Sequence, residues 1–127
     1  MAKAKILVVD DQPLIRTMLS DLLTEAGYQV LTAADGEEGL ALLKREAPAL
    51  VILDKVMPKM GGTRFILESR DAGLRHAPTL IVYSSAFTGP PQEHADETFR
   101  VRLHVSKAIK GEALLKLVAD LLGRAGA

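Results

Sequence analysis

Three unbroken apolar runs constrain this chain more than any other feature: ILVV at 6–9, LVIL at 50–53 and LIVY at 80–83. A strand with one face in water alternates apolar and polar residues, so a run without alternation belongs to a strand covered on both faces. A weaker run lies at 28–33. Between the runs the apolar spacing becomes helical. Leu14, Ile15, Met18, Leu19, Leu22 and Leu23 precede Gly27, and Leu40, Leu42 and Leu43 follow Asp35-Gly36-Glu37-Glu38. Phe65, Ile66 and Ser69 suit a third helix ending near Gly73, and Leu114, Leu115, Val118, Leu121 and Leu122 a last one ending at Gly123. These stripes are expected to be core. Strands alternating with helices over 127 residues predict one α/β domain, residues 1–127, with a parallel sheet and no effector domain.

Residues 89–100, GPPQEHADETFR, break the alternation. Paired prolines and few apolar residues predict a short or irregular helix there. The following RVRLHVSK alternates, with Val101, Leu103 and Val105 on one face and Arg102 and His104 on the other, as in an edge strand. Composition narrows the function. The 16 basic and 16 acidic residues cancel, leaving no cationic field for direct nucleic-acid binding. Cysteine is absent, which excludes a disulfide framework and thiol chemistry and agrees with a reducing compartment. No run approaches the roughly 20 apolar residues that span a bilayer. Carboxylates follow the first run too closely for a secretory signal. A cytoplasmic protein with no membrane partner is expected.

In an open parallel sheet, ligands collect beyond the carboxyl ends of the strands. The first run ends in Asp10-Asp11, the LVIL run in Asp54, the LIVY run in Ser84-Ser85, and the alternating strand in Ser106-Lys107. Three carboxylates, a hydroxyl and an ammonium are thereby expected at one edge. Crowded carboxylates need a cation, and hard oxygen donors select Mg²⁺ or a similar ion such as Mn²⁺. A metal held this way commonly bridges to phosphate oxygens, which a lysine and a hydroxyl can hold from the other side. A carboxylate beside the metal can act as a nucleophile and form an acyl phosphate. The constellation predicts phosphoryl transfer to an aspartate.

VVDDQ (8–12), LDKVMPKMGG (53–62), Ser85-Ala86 and Lys107, in this order and at these intervals, resemble the response-regulator receiver domain, in particular its stand-alone chemotaxis type. The resemblance implies a flavodoxin-like (βα)5 three-layer sandwich whose five parallel strands stand in the order 2-1-3-4-5. It implies Asp54 as phosphoacceptor, with Asp10, Asp11, Asp54 and the backbone carbonyl of Val56 around Mg²⁺. Ser85 would be the switch hydroxyl, with Ser84 the alternative, and Lys107 would bind the phosphoryl group. His104 stands where the family often carries a switching aromatic. A histidine kinase or phosphotransfer protein would be the donor. A downstream protein would bind through the last two strands and helices of the five-fold pattern. Such a chain is a signalling phosphoacceptor rather than an enzyme with an external substrate. Receivers usually follow this lysine with proline; here Ala108 follows, and a trans peptide is expected.

Taken singly, each residue has a plainer reading. Asp10 or Asp11 can cap the helix that Pro13 opens. Ser84 and Ser85 can satisfy backbone groups, and Lys107 can be a solvated surface lysine. The ordered set outweighs these. Two rival functions are a pseudo-receiver that serves as an interaction module without phosphorylation, and a Mg²⁺-dependent phosphatase. The second needs a further acid or base near Asp54, and DKVMP supplies no suitable carboxylate.

Overall fold

The computed structural model describes residues 4–54, 64–65, 68, 80–85, 92–96, 101–106 and 109–126, with backbone alone at 80–85, 92–96, 101–104, 106 and 124–126. Strands β1 (Lys5–Val9), β2 (Gln29–Ala33), β3 (Leu50–Asp54), β4 (Leu80–Ser85), β5 (Gln92–Asp96) and β6 (Val101–Ser106) form one sheet. Helices α1 (Pro13–Glu25), α2 (Gly36–Glu46) and α3 (Gly111–Gly126) flank it. Arg64, Phe65 and Glu68 are helical, and the rest of the expected third helix lies outside the described residues.

The strand order is β2-β1-β3-β4-β6-β5. The first five in that order run parallel, as the flavodoxin-like fold requires. Two of the unbroken apolar runs are double-faced strands, with Ile6–Val9 and Leu50–Leu53 all buried. Alternate residues go to opposite layers. Leu7, Val9, Val51 and Leu53 join Ala33, Leu43 and Phe65 on the α2 side. Ile6, Val8, Leu50 and Ile52 join Leu23, Val105, Leu114, Val118 and Leu121 on the side of α1 and α3. Burying a side chain the size of Phe65 contributes about 1.5–3 kcal/mol, so both layers are held mainly by apolar burial.

The helix ends follow local chemistry. The Asp35 carboxylate accepts the Glu38 N–H at 2.8 Å, and the Glu38 carboxylate accepts the Ala34 N–H at 3.3 Å. This arrangement satisfies one donor that the first turn of α2 leaves unpaired and ties the residue before the cap to the helix. Glu37 and Glu38 at its start and Lys44 and Arg45 at its end complement the helix dipole. Pro13 opens α1, and Gly27 follows its end with φ 99°, a left-handed conformation that glycine adopts without strain. Lys5 Nζ reaches Glu46 Oε1 at 3.1 Å and ties the start of β1 to the end of α2. Hydrogen bonds from Lys5 and Arg45 hold the Glu46 carboxyl below its ordinary value.

The last helix runs past the expected stop at Gly123 to Gly126, and three further sequence expectations change. Residues 92–96 form a strand rather than part of an irregular helix, pairing antiparallel to β6 with a register shift between Glu93 and Asp96. Consequently β6 is not an edge strand: His104 pairs with Tyr83 on one side and Gln92 on the other. The physical reason is the open outer edge of β6, whose backbone donors and acceptors take a partner that has little strand propensity of its own. The α1 stripe is also not wholly core. Leu14 and Met18 remain 70% and 57% exposed. Leu14 lies in the first turn of α1, and Met18 lines a cavity of about 420 Å³ that is also lined by Ile109, Gly111 and Leu114.

Candidate metal centre

The chain passes from β1 outward to β2 and then returns to β3 on the other side of β1, leaving a crevice at the carboxyl ends of β1 and β3. Asp10 follows directly on β1, and Asp54 is the last residue of β3. Carboxylate oxygens of Asp10, Asp11 and Asp54 lie within 4.8 Å of one another. Asp10 and Asp54 keep only 2% and 3% of their exposure, while Asp11 is half-buried at the mouth.

Two like charges 4.8 Å apart repel by roughly 3.5 kcal/mol at an effective dielectric of about 20. Such a trio gains stability from a divalent cation. All three donors are hard oxygens, the set that suits Mg²⁺ or Mn²⁺ rather than a thiophilic metal. These residues therefore fit a hard cation at this edge.

Asp10 is held at its N–H, its carbonyl and one carboxylate oxygen. Its N–H donates to the Ala33 carbonyl at 3.1 Å, extending the β1–β2 ladder by one residue. Its Oδ1 accepts the Gln12 N–H at 2.9 Å. Its carbonyl accepts from Arg16 Nη1 at 2.7 Å. Arg16, which closes the first turn of α1, was not singled out by sequence reasoning; its signal is a cation six residues past Asp10 on a helix that begins at Pro13.

Beside β3 the sheet continues the same edge. Asp54 pairs with Ser84, Ser84 with Val105, and Ser85 with Ser106. Ser85 therefore stands one register position beyond Asp54, with Ser84 level with it. The structure brings the backbones of all four expected strand ends together. Val56, Lys107 and the Lys107–Ala108 peptide lie outside the described residues. His104 lies two positions back along β6, within the sheet.

Residues 6–119 match the family model of the response regulator receiver domain. The chain belongs to the response-regulator receiver family. Protein PilH of Pseudomonas aeruginosa is 32% identical to this receiver over 124 residues, covering 94% of this chain and 98% of PilH. The probable transcriptional regulator ycf27 of Porphyridium aerugineum is 55% identical over 62 residues, which are 49% of this chain and 26% of that protein. The receiver chain thus matches only about a quarter of the length of that relative. Among solved structures, the chemotaxis protein CheY4 of Vibrio cholerae superposes with a TM-score of 0.77 at 34% identity, covering 94% and 98% of the two chains. A CheY-like receiver domain protein of Methanospirillum hungatei gives 0.81 at 25% identity, covering 95% of each.

Proposed function

We propose that this receiver takes a phosphoryl group onto Asp54 from the phosphohistidine of a histidine kinase or phosphotransfer protein, with Mg²⁺ held by Asp10, Asp11, Asp54 and the Val56 carbonyl. The observation that carries this reading is the carboxylate trio at the carboxyl ends of β1 and β3. A bound Mg²⁺ would offset the carboxylate charge and the charge on the incoming phosphoryl oxygens. An Asp54 carboxylate oxygen forms the bond to phosphorus as the phosphorus–nitrogen bond of the donor breaks, and the departing imidazole takes up a proton. Ser85 and Lys107 are assigned the remaining phosphoryl oxygens; Ser84 is the alternative hydroxyl.

The acyl phosphate carries about −1.5 to −2 charges at neutral pH in place of the single negative charge of the free carboxylate. Recruiting Ser85 and Lys107 toward it would shift an equilibrium at the face built by β4, β6 and the helices beside them. The proposed output is altered binding to a downstream protein, with no direct nucleic-acid contact by this domain. B. subtilis PhoP, described as a transcriptional regulatory protein, shares 44% identity over 70 residues, which make up 29% of it. That match supports the signalling class without supplying this chain's target.

Intact-protein mass spectrometry after acetyl phosphate treatment tests the reading. A phosphoryl adduct should form with Mg²⁺, and should be missing in EDTA and in Asp54→Ala. A folded wild type that acquires no adduct would leave the pseudo-receiver as the better account.

A further inference from the structure

We infer that Arg16 is a positioning residue for the metal site, holding the Asp10 peptide so that the Asp10 carboxylate is presented to the cation in one orientation. This rests on the metal reading of the carboxylate trio and goes beyond it, because Arg16 donates no ligand. The connection runs through the backbone. Arg16 Nη1 holds the Asp10 carbonyl at 2.7 Å, while the Gln12 N–H holds Oδ1 of the same residue at 2.9 Å and Ala33 accepts its N–H at 3.1 Å. Of these three restraints, two belong to backbone that the sheet and the start of α1 already hold. Arg16 supplies the third from a side chain, clamping the peptide that links Asp10 to Asp11. Both acids move if that peptide turns.

The orientation of the guanidinium matters as much as its position. The bond described goes to a carbonyl, so it leaves carboxylate charge for the metal. A cation this close to a metal site also repels Mg²⁺, and the two effects have opposite signs. If Arg16 acted only through its charge, removing it would tighten Mg²⁺ binding. If it positions Asp10, removing it weakens binding, as loss of groups supporting metal ligands typically does. The 2.7 Å bond favours positioning, since a charge-assisted bond at this length fixes its acceptor.

Isothermal titration calorimetry with MgCl₂ alone, on the full chain, decides between them. Arg16→Met keeps most of the aliphatic stem and deletes the donor. It should weaken Mg²⁺ binding by about 10-fold while circular dichroism shows a folded protein. Arg16→Lys, which restores one donor, should bind Mg²⁺ at an affinity between those of Arg16→Met and wild type. Unchanged or tighter binding by folded Arg16→Met overturns the inference. Should Arg16→Met not fold, Arg16→Lys carries the test, and an affinity equal to wild type overturns it. Asp11→Asn separates the two levels of argument. If wild type binds no Mg²⁺, the metal reading fails. If wild type binds Mg²⁺ and Asp11→Asn abolishes binding while the Arg16 variants do not alter it, only the role of Arg16 fails.

Discussion

Without a cation, the Asp11 carboxylate lies within 4.8 Å of carboxylate oxygens on both Asp10 and Asp54. Asp11 is half-buried, and the other two acids are buried, so water screens the repulsion incompletely. Removing that one charge should stabilise the metal-free protein, by about 1 kcal/mol or more and about 4 °C in Tm for a domain of this size. In Mg²⁺ the ranking should reverse. A ligand at about 100 times its Kd adds about 2.7 kcal/mol to the state that binds it, and Asp11→Asn would forgo most of that. Thermal melts of both proteins in EDTA and in MgCl₂ check the crossover; a variant less stable than wild type in EDTA would contradict the repulsion argument. Asp10, Asp11 and Asp54 were legible because Asp10 and Asp54 directly follow apolar runs and Asp11 is next to Asp10. Arg16 was not, because its role depends on where one turn of α1 carries it relative to the Asp10 carbonyl.

At the scale of elements, α2 lies against the sheet through Gly39. A Cβ built there would come 2.8 Å from Val9 Cγ2 and 3.2 Å from Phe65 Cε2. Val9 is a short, fully buried β-branched side chain with a restricted χ1, so it can give little. Gly39→Ala gains up to about 1 kcal/mol of helix propensity but overpacks the layer at a cost of about 1–3 kcal/mol. A net loss of about 1 kcal/mol should be read as a lower urea midpoint with an unchanged m-value; a rise in midpoint would show that α2 can shift. The α2 boundaries were readable from Asp35, Glu37 and Glu38, since capping is a local chemical matter. The exposure of Leu14 and Met18 was not. Helical spacing defines an apolar stripe, but the neighbour that covers it is supplied by the fold.

For the whole molecule, the sheet predicts a gradient of stability. β1 and β3 each pair on both sides and are buried in both layers, whereas β5, among the described residues, pairs with β6 alone and in broken register. Amide exchange in β1 and β3 should be slowest and follow global unfolding, while β5 should open at a lower free energy. Hydrogen exchange with mass spectrometry reads this directly. Equal protection of β5 and β1 would mean that the added strand belongs to the same cooperative unit as the centre.

By itself the sequence determined the apolar strands, the helices around them, the parallel α/β class and the acidic edge, and the family resemblance implied the three-layer arrangement. Those features are written in apolar runs without alternation, in helical spacing of about 3.6 residues, and in what directly follows each run. Tertiary structure alone decided that residues 92–96 complete the sheet, that His104 lies between two strands, and that Arg16 reaches the Asp10 carbonyl. Each of these depends on backbone groups brought together from different elements. An open strand edge or a carbonyl at a helix mouth exerts its demand for a partner only once the fold has placed it there.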